Sequence, residues 1–148
     1  MLRLAELNDI PVLLSLAKEF HHTSPYMKQV FDEDRSTRFI TGLIKANGEA
    51  GVIILSVNTE NVPVGFLVAL LTIIPWTGTR VATELAWYVS KDYRKGTRGI
   101  KLLDSFIYWA KDIAHAELAQ TGSLDQSIDK IYERKGFSKY ENTWIKEL

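Results

Sequence analysis

The chain of 148 residues contains no cysteine. This absence excludes a disulfide framework, a thiolate nucleophile and a thiolate zinc site, and it agrees with a reducing cytoplasm, where we expect the protein to function. We predict no metal site. The sequence also lacks a long apolar run, since the longest, Val64 to Ile74, is well below the roughly 20 residues of a membrane helix and indicates a buried strand. The N-terminal residues lack the pattern of a signal peptide.

The chain has no excess of charge of either sign, because 18 basic and 18 acidic residues cancel. No overall field therefore favours a nucleic acid or an anionic membrane, and we expect neither as a partner. The composition is 46% hydrophobic, and no linker, repeat or low-complexity segment divides the sequence. Residues 1–148 are therefore expected to form a single domain.

Hydrophobic periodicity predicts a mixed α/β fold with the element order β-α-α-β-β-β-α-β-α-β-β and helices on both faces of the sheet. A first strand at Leu2 to Leu7 is followed by a helix with Asn8 as its N-cap and by a second helix that ends at Asn47-Gly48. The remaining predictions are strands at Val52 to Val57, Val64 to Ile74 and Val81 to Val89, a helix from about Gly99, a strand at Ala116 to Thr121, a helix with Ser123 and Gln126 in a capping box, and two closing strands at Phe137 to Tyr140 and Thr143 to Leu148.

The most informative stretch runs from Val89 to Leu103, where a strand passes through a basic, glycine-containing turn into an amphipathic helix. The first N–H groups of a helix have no intrahelical acceptor and carry partial positive charge. The turn adds basic side chains, and glycines that let the backbone approach a ligand, at Arg94, Lys95, Gly96, Arg98 and Gly99. The stretch therefore predicts a site for a phosphate group, although a basic helix start with a glycine turn is the simpler interpretation.

Glu84 is a charged residue within the otherwise apolar strand Val81 to Val89. Because side chains alternate along a strand, Glu84 is expected on the face opposite to Trp87. A buried carboxylate requires a partner, a raised pKa or a water-filled cleft. Two interpretations stay open: a catalytic base, and a structural carboxylate paired with an arginine such as Arg80.

The element order, the basic turn and the late stretch from Lys130 to Phe137 together resemble the GCN5-related N-acetyltransferases over nearly the whole chain. That family holds the pyrophosphate of acetyl-CoA with the pattern Arg/Gln-x-x-Gly-x-Gly/Ala. Arg94 matches its first position and Gly99 its last, whereas Thr97 replaces the first glycine.

A second motif of that family, Tyr-x-x-x-Gly-Phe near the C-terminus, is matched by Tyr132, Gly136 and Phe137. The resemblance implies an acyl-CoA N-acyltransferase fold, with a mostly antiparallel sheet splayed between strands 4 and 5 to admit the pantetheine arm. It also implies direct transfer of an acetyl group from acetyl-CoA to an amine acceptor, without a covalent acyl-enzyme. Family members often dimerise, so a homodimer is one expected assembly.

The resemblance further assigns roles to individual residues. Glu84 would be the base, and Tyr132 would protonate the leaving thiolate, unless its ring serves only to pack on the core. The residues expected to bind the cofactor are Trp87, Tyr88, Val89, Arg94, Lys95, Gly96, Thr97, Arg98 and Gly99.

The acceptor cleft of that family corresponds to His21 to Asp34 and Tyr140 to Trp144. Its acidic residues favour a cationic acceptor, although an acidic run before a helix is also an ordinary N-terminal preference: Asp32, Glu33, Asp34 and Glu141. His21 and His22 are either a polar helix end or a base.

Two alternatives to an acetyltransferase stay open. Thr97 favours a non-catalytic module that binds CoA or only a protein partner. Nucleic-acid binding through the basic turn is opposed by the zero net charge.

Overall fold

One five-stranded sheet forms the centre of the fold in a computed structural model that describes residues 1–148. Its strands are β1 (Leu2–Leu4), β2 (Gly51–Val57), β3 (Pro63–Ile73), β4 (Arg80–Val89) and β5 (Leu118–Gln120), in that spatial order. The first four strands pair antiparallel with their neighbours, and β5 pairs parallel with β4. The mixed, mostly antiparallel sheet that the sequence predicts is therefore confirmed.

Helices cover both faces of this sheet. They are α1 (Ile10–His21), α2 (Glu33–Lys45), α3 (Arg98–Tyr108) and α4 (Gln126–Arg134), with short 3-10 turns at Leu7–Asp9 and Lys91–Tyr93 and a π-helical turn at Trp109–Ile113. Two apolar clusters result: α1 and α2 pack on one face, and α3 and α4 on the other. Because both faces are covered, every residue of β2 is buried, and its sequence is apolar except for Ser56. None of the helices combines the length and apolar character that crossing a bilayer requires.

Strand β4 has a partner on its β5 side along only part of its length. The pairing runs from Val81 opposite Leu118 to Thr83 opposite Gln120 and stops there. From Glu84 to Val89 the β5-facing edge of β4 has no neighbouring strand. The predicted splay between the fourth and fifth strands is thus present.

A β-bulge in β4 changes which side chains share a face. Val68 of β3 pairs with Ala86, but the next residue of β3, Ala69, pairs with Glu84, so Leu85 has no partner. An extra residue reverses the alternation beyond it. The prediction that Glu84 and Trp87 face opposite ways is therefore wrong: both lie on the face that α3 and α4 cover.

The two closing strands predicted at residues 137–148 are absent, so the element order ends with α4. Trp144 and Ile145 are the largest apolar residues of the second segment, and they are adjacent, so a strand would point them to opposite faces. In the first segment, a strand would place the polar Lys139 on the side of Phe137 and the polar Ser138 on the side of Tyr140. Neither segment has an apolar face to bury, and Tyr140 and Trp144 are 95% and 91% exposed.

Two predicted helix caps are also wrong. Helix α1 begins after a 3-10 turn that contains Asn8, and Asp125 rather than Ser123 caps α4 by accepting a hydrogen bond from the Ser127 N–H at 2.9 Å. Ser123 donates instead to the carboxylate of Asp129 at 2.6 Å, because it lies too far before the first turn to reach its free N–H groups.

The turn from β1 into α1 is fixed by a partly buried ion pair. The guanidinium of Arg3 donates two hydrogen bonds to the carboxylate of Asp9, at 2.7 and 2.8 Å, and the Glu6 N–H donates a third at 2.8 Å. The hydrogen bonds from Arg3 are the main cause that holds the pKa of Asp9 below its usual range, against the opposing effect of burial. The folded state therefore favours the ionised carboxylate.

We expect Asp9→Asn to lower the free energy of unfolding by about 1–3 kcal/mol at pH 7, because charge-assisted hydrogen bonds become neutral ones. A lowered carboxyl pKa stabilises the fold above the unfolded pKa, and this contribution is lost as the pH falls through the folded value. The deficit of the variant should therefore shrink between pH 7 and about pH 2 in urea unfolding. The exposed Asp92→Asn is the matched control, and an equal loss in both variants contradicts the prediction.

Candidate active site

The segment from Arg94 to Gly99, called the anion loop below, presents a row of free backbone donors. None of the N–H groups of residues 95 to 100 donates to a backbone or side-chain acceptor of the protein. Gly96 has a φ of +98°, a left-handed conformation that lets successive N–H groups converge on one side. Thr97 is the N-cap of α3, and its hydroxyl makes no capping hydrogen bond. The loop is therefore able to bind an anion through its backbone.

A groove of about 280 Å³ beside the anion loop carries unpaired positive charge. Lys95, Thr97, Arg98 and Lys101 line it, together with Ser56 of β2 and the first two residues of the chain. Neither lysine forms an ion pair. The guanidinium of Arg98 is anchored to β2, because Nη1 donates to Ser56 Oγ at 3.2 Å and to the carbonyl of residue 57 at 2.9 Å. Two free lysines and one fixed arginine thus surround the loop.

Arg94 is turned away from this groove. Its Nε donates to the carbonyl of Val89 at 2.8 Å, and its guanidinium lies 5.2 Å from the centre of the Tyr88 ring. The Tyr88 hydroxyl in turn donates to Glu19 of α1 at 3.0 Å. Arg94 therefore closes the end of β4 and is not one of the groove's charges.

The open edge of β4 leaves free the backbone groups of Trp87 and the N–H of Val89, whose carbonyl accepts from Arg94. The Ser90 N–H donates to Val64 of β3, so residue 90 faces β3. Since successive residues of a strand turn their N–H and C=O groups to opposite sides, Val89 and Trp87 face the splay and Tyr88 faces β3. An extended ligand in the splay has Trp87 and Val89 as its backbone partners.

The Trp87 indole packs between the start of α3 and the Tyr132 ring. It lies under the first turn of α3, where a Cβ on Gly99 would stand 3.3 Å from the ring, and its centre is 6.1 Å from that of the Tyr132 ring. A side chain at position 99 would therefore crowd the Trp87 indole and require it to shift.

Glu84 and Tyr132 are joined by the hydroxyl of Thr121. Thr121 Oγ1 donates to Glu84 Oε2 at 2.7 Å and lies 2.9 Å from the phenol oxygen of Tyr132, which donates to the carbonyl of Gly122 at 2.8 Å. A hydroxyl has one proton, so Thr121 is able to donate to only one of its two neighbours at a time. The Thr121 hydroxyl therefore lies within hydrogen-bond distance of both Glu84 and Tyr132 and links the two side chains.

Burial shifts the pKa of both ends of this chain upward. Desolvation raises the pKa of Glu84 above its usual range, and hydrogen bonds from Thr121 and the Gly122 N–H offset only part of that effect. Desolvation also raises the pKa of Tyr132 to about 12, so its phenol is protonated at neutral pH. Glu84 is therefore a better proton acceptor than an exposed carboxylate, and Tyr132 holds its proton firmly.

Arg80 is not the partner of Glu84, contrary to the structural interpretation of that carboxylate. Its Nη2 donates to the carbonyl of Ala114 at 2.7 Å, and Glu84 forms no ion pair with any residue. The partner that the structure shows is Thr121. Sequence reasoning missed Thr121 because only the register of β4 with β5, which pairs Thr83 with Gln120, places the next residue beside Glu84.

Several side chains predicted for the acceptor cleft have partners within the protein. His21 Nε2 is 2.8 Å from the carbonyl oxygen of Gln29, and Glu33 pairs with Lys18 at 2.7 Å. Asp32 caps α2 by accepting from the Arg35 N–H at 2.9 Å. The segment from 140 to 144 belongs to the irregular C-terminus.

Comparison of the sequence with known proteins finds no matching family model and no matching curated protein. The structure, by contrast, is similar to several solved ones. An acetyltransferase from Trypanosoma brucei superposes with a TM-score of 0.76 at 16% identity, covering 100% of this chain and 99% of that one. Glucosamine-6-phosphate N-acetyltransferase from Arabidopsis thaliana gives 0.77 at 12% identity, with 99% and 97% covered.

A transcriptional regulator from Bacillus halodurans is equally similar, with a TM-score of 0.77 at 19% identity over 100% of this chain and 99% of that one. Identities this low show the fold alone. The chain has the fold of these acetyltransferases, which confirms the fold that the resemblance implies.

We expect the raised pKa of Glu84 to make the free energy of unfolding depend on pH. Because the pKa of Glu84 is raised in the folded state, that state binds the proton more tightly, and the free energy of unfolding falls as the pH rises through the folded pKa. Glu84→Gln removes this dependence, so the variant should gain stability relative to the parent between pH 4 and pH 8 in urea unfolding. The exposed Glu60→Gln is the control, and a difference that is constant with pH contradicts the raised pKa.

Proposed function

We propose that the protein is an acetyl-CoA-dependent N-acetyltransferase that moves an acetyl group directly to an amine, without a covalent acyl-enzyme. The observation that supports catalysis, rather than binding alone, is the hydrogen-bonded chain of Glu84, Thr121 and Tyr132 beside the open edge of β4. A module that only binds CoA has no need of a partly buried carboxyl joined to a buried phenol.

The residues at the splay fit the cofactor. The free N–H groups of residues 95 to 100, with the side chains of Lys95 and Lys101, suit a pyrophosphate, and the Thr97 hydroxyl is free to donate to a phosphate oxygen. The open edge at Trp87 and Val89 suits the amide groups of a pantetheine arm. Acetyl-CoA would supply an activated acyl group and a thiolate leaving group.

In this proposal, the other residues predicted to bind the cofactor hold the anion loop and the end of β4 in position. Gly96 and Gly99 allow the loop its conformation and its contact with Trp87, while Arg98 holds the loop to β2. Tyr88 and Arg94 support the end of β4. The positive charge that contacts phosphate is thus assigned mainly to the lysines.

The chemistry follows from the proton chain. As the C–N bond to the amine forms and the C–S bond breaks, Glu84 accepts the proton that the amine nitrogen loses, and Tyr132 gives its phenolic proton to the sulfur. A phenol with a pKa of about 12 is a poor donor on its own, because a buried tyrosinate is costly. Thr121 resolves this by receiving a proton from Glu84 and passing its own to Tyr132. The net result is one proton moved from nitrogen to sulfur, with all three side chains restored.

Binding of acetyl-CoA is the first expected outcome, measured by calorimetric titration. Lys95→Ala and Lys101→Ala should each weaken the affinity by about 10-fold, since each removes one charge-assisted contact to phosphate. The exposed Lys111→Ala, on the π-helical turn, should change nothing. Absence of binding to the parent protein would refute both the enzyme and a CoA-binding module.

Turnover, followed as release of free thiol, is expected to depend on the proton chain. Glu84→Gln should lower kcat by about 100-fold or more, and Tyr132→Phe by about 10- to 100-fold. Thr121→Val, which keeps the shape but removes the hydroxyl, should lower kcat by about 10-fold with little change in the KM for acetyl-CoA, whereas Thr121→Ser should keep most of the activity.

The dependence of the rate on pH distinguishes a role of Glu84 and Tyr132 in proton transfer from a role in packing alone. The rate of the parent should rise with pH through the raised pKa of Glu84, and this limb should be lost in Glu84→Gln. Tyr132 stays protonated far above neutral pH, so no falling limb is expected from it below about pH 10. Full turnover by both Glu84→Gln and Tyr132→Phe would refute the assigned roles, and binding without turnover of any amine would favour the non-catalytic module.

A further inference from the structure

A cavity of about 460 Å³ lies between α1, α2 and the sheet, on the face opposite to the side chain of Glu84. Ten of its twelve lining residues are hydrophobic, among them Phe20 of α1, Phe39 of α2 and Phe66 of β3. Small-molecule sites occupy roughly 300–1,000 Å³ and are mostly apolar with a few polar groups. The cavity therefore has the size and lining of a small-molecule site.

Large apolar side chains remain exposed at the mouth of this cavity. Phe39 is 41% exposed and Leu85 is 47% exposed, whereas Leu13 and Ile40 on its walls are 3% and 7% exposed. Burying the two exposed side chains would remove apolar surface from water, which favours an apolar occupant.

The cavity adjoins the proposed reaction site through β4. Its lining includes Leu85 and Ala86, the two residues that follow Glu84 along the strand. Because β4 has no neighbour on its β5 side after Thr83, the edge of the strand is open between the two faces of the sheet. A molecule that fills the cavity is therefore able to extend around the bulged edge toward Glu84.

The charges around the cavity do not suit a polycation. No carboxylate lines it, and its one charged residue is Arg35, whose Nε is 3.8 Å from Asp32 Oδ2. Glu33, which begins α2, already pairs with Lys18 on α1. A second positive charge on the acceptor would meet a guanidinium instead of an acid.

We infer that the acceptor is a monoamine whose substituent is an aromatic ring or a branched aliphatic chain, seated in the cavity between α1, α2 and β4. This inference rests on the proposed acetyltransferase function and names the substrate class of that same site. The amine nitrogen extends past Leu85 to the carboxyl of Glu84, and the apolar substituent stays between Phe39 and Phe66.

The test compares amines as acceptors for the purified full-length protein with acetyl-CoA, by release of free thiol. The probes are 2-phenylethylamine, 3-methylbutylamine, methylamine and spermidine. We expect kcat/KM for the first two to exceed that for methylamine by roughly 10- to 100-fold, the gain from burying one large apolar group. Spermidine should rank with methylamine.

Substitutions in the cavity test whether the apolar substituent of the amine binds there. Ala17→Leu fills the cavity from α1 and should lower kcat/KM for 2-phenylethylamine by about 10-fold while leaving methylamine unchanged. Ser15→Leu adds the same side chain on the exposed side of α1 and is the matched control. Both variants are to be compared only if their thermal unfolding matches that of the parent, and Phe39→Ala, at the exposed mouth, is the second probe of the cavity.

A direct binding measurement separates failure of this inference from failure of the proposed function. Line broadening of 2-phenylethylamine in proton NMR should appear with the parent and disappear with Ala17→Leu. Binding of this kind without turnover of any amine would refute the enzyme but keep the apolar-amine site. Turnover that favours spermidine, or that Ala17→Leu and Phe39→Ala leave unchanged, would overturn the inference and keep the enzyme.

Discussion

The separation of β4 from β5 after three paired residues is the constraint on which the rest of the site depends. Backbone N–H and C=O groups inside a protein require partners, so a half-paired strand is stable only where water or a ligand reaches its edge. Here the edge begins at Glu84 and ends at Val89, and the 3-10 turn Lys91–Tyr93 then leads to the anion loop. The strand and the 3-10 turn that follows it therefore set the distance between the carboxyl of Glu84 and the free N–H groups.

Two opposing effects act on the carboxyl at the start of that edge. Burial disfavours its ionised form, whereas Thr121 and the Gly122 N–H favour it, and burial dominates. The hydrogen bonds keep the group oriented while its proton affinity stays high. Tyr132 is held in the same way, since its phenol contacts Thr121 and the carbonyl of Gly122. Residues 121 and 122, at the end of a three-residue strand, thus position both ends of the chain.

The sequence predicted much of this arrangement, and the parts it missed share a cause. Periodicity located the long strands, the helices and the anion loop, because each depends on neighbours close in sequence. The face of Glu84 was wrong because the extra residue Leu85 is visible only in the register with β3. Thr121 was missed because its partner is 37 residues away. The closing strands were predicted from β-forming residue types, but Trp144 and Ile145 offer no common apolar face.

The bulge at Leu85 has a consequence for how such a protein diversifies. One face of β4 carries Glu84 of the proposed proton chain, and the opposite face forms a wall of the apolar cavity. Substitutions among the residues of α1 and α2 that face the cavity do not touch Glu84, Thr121 or Tyr132. In the proposed enzyme, substitutions in these two helices would therefore change the acceptor and leave the proposed proton chain on the opposite side of the sheet unaltered.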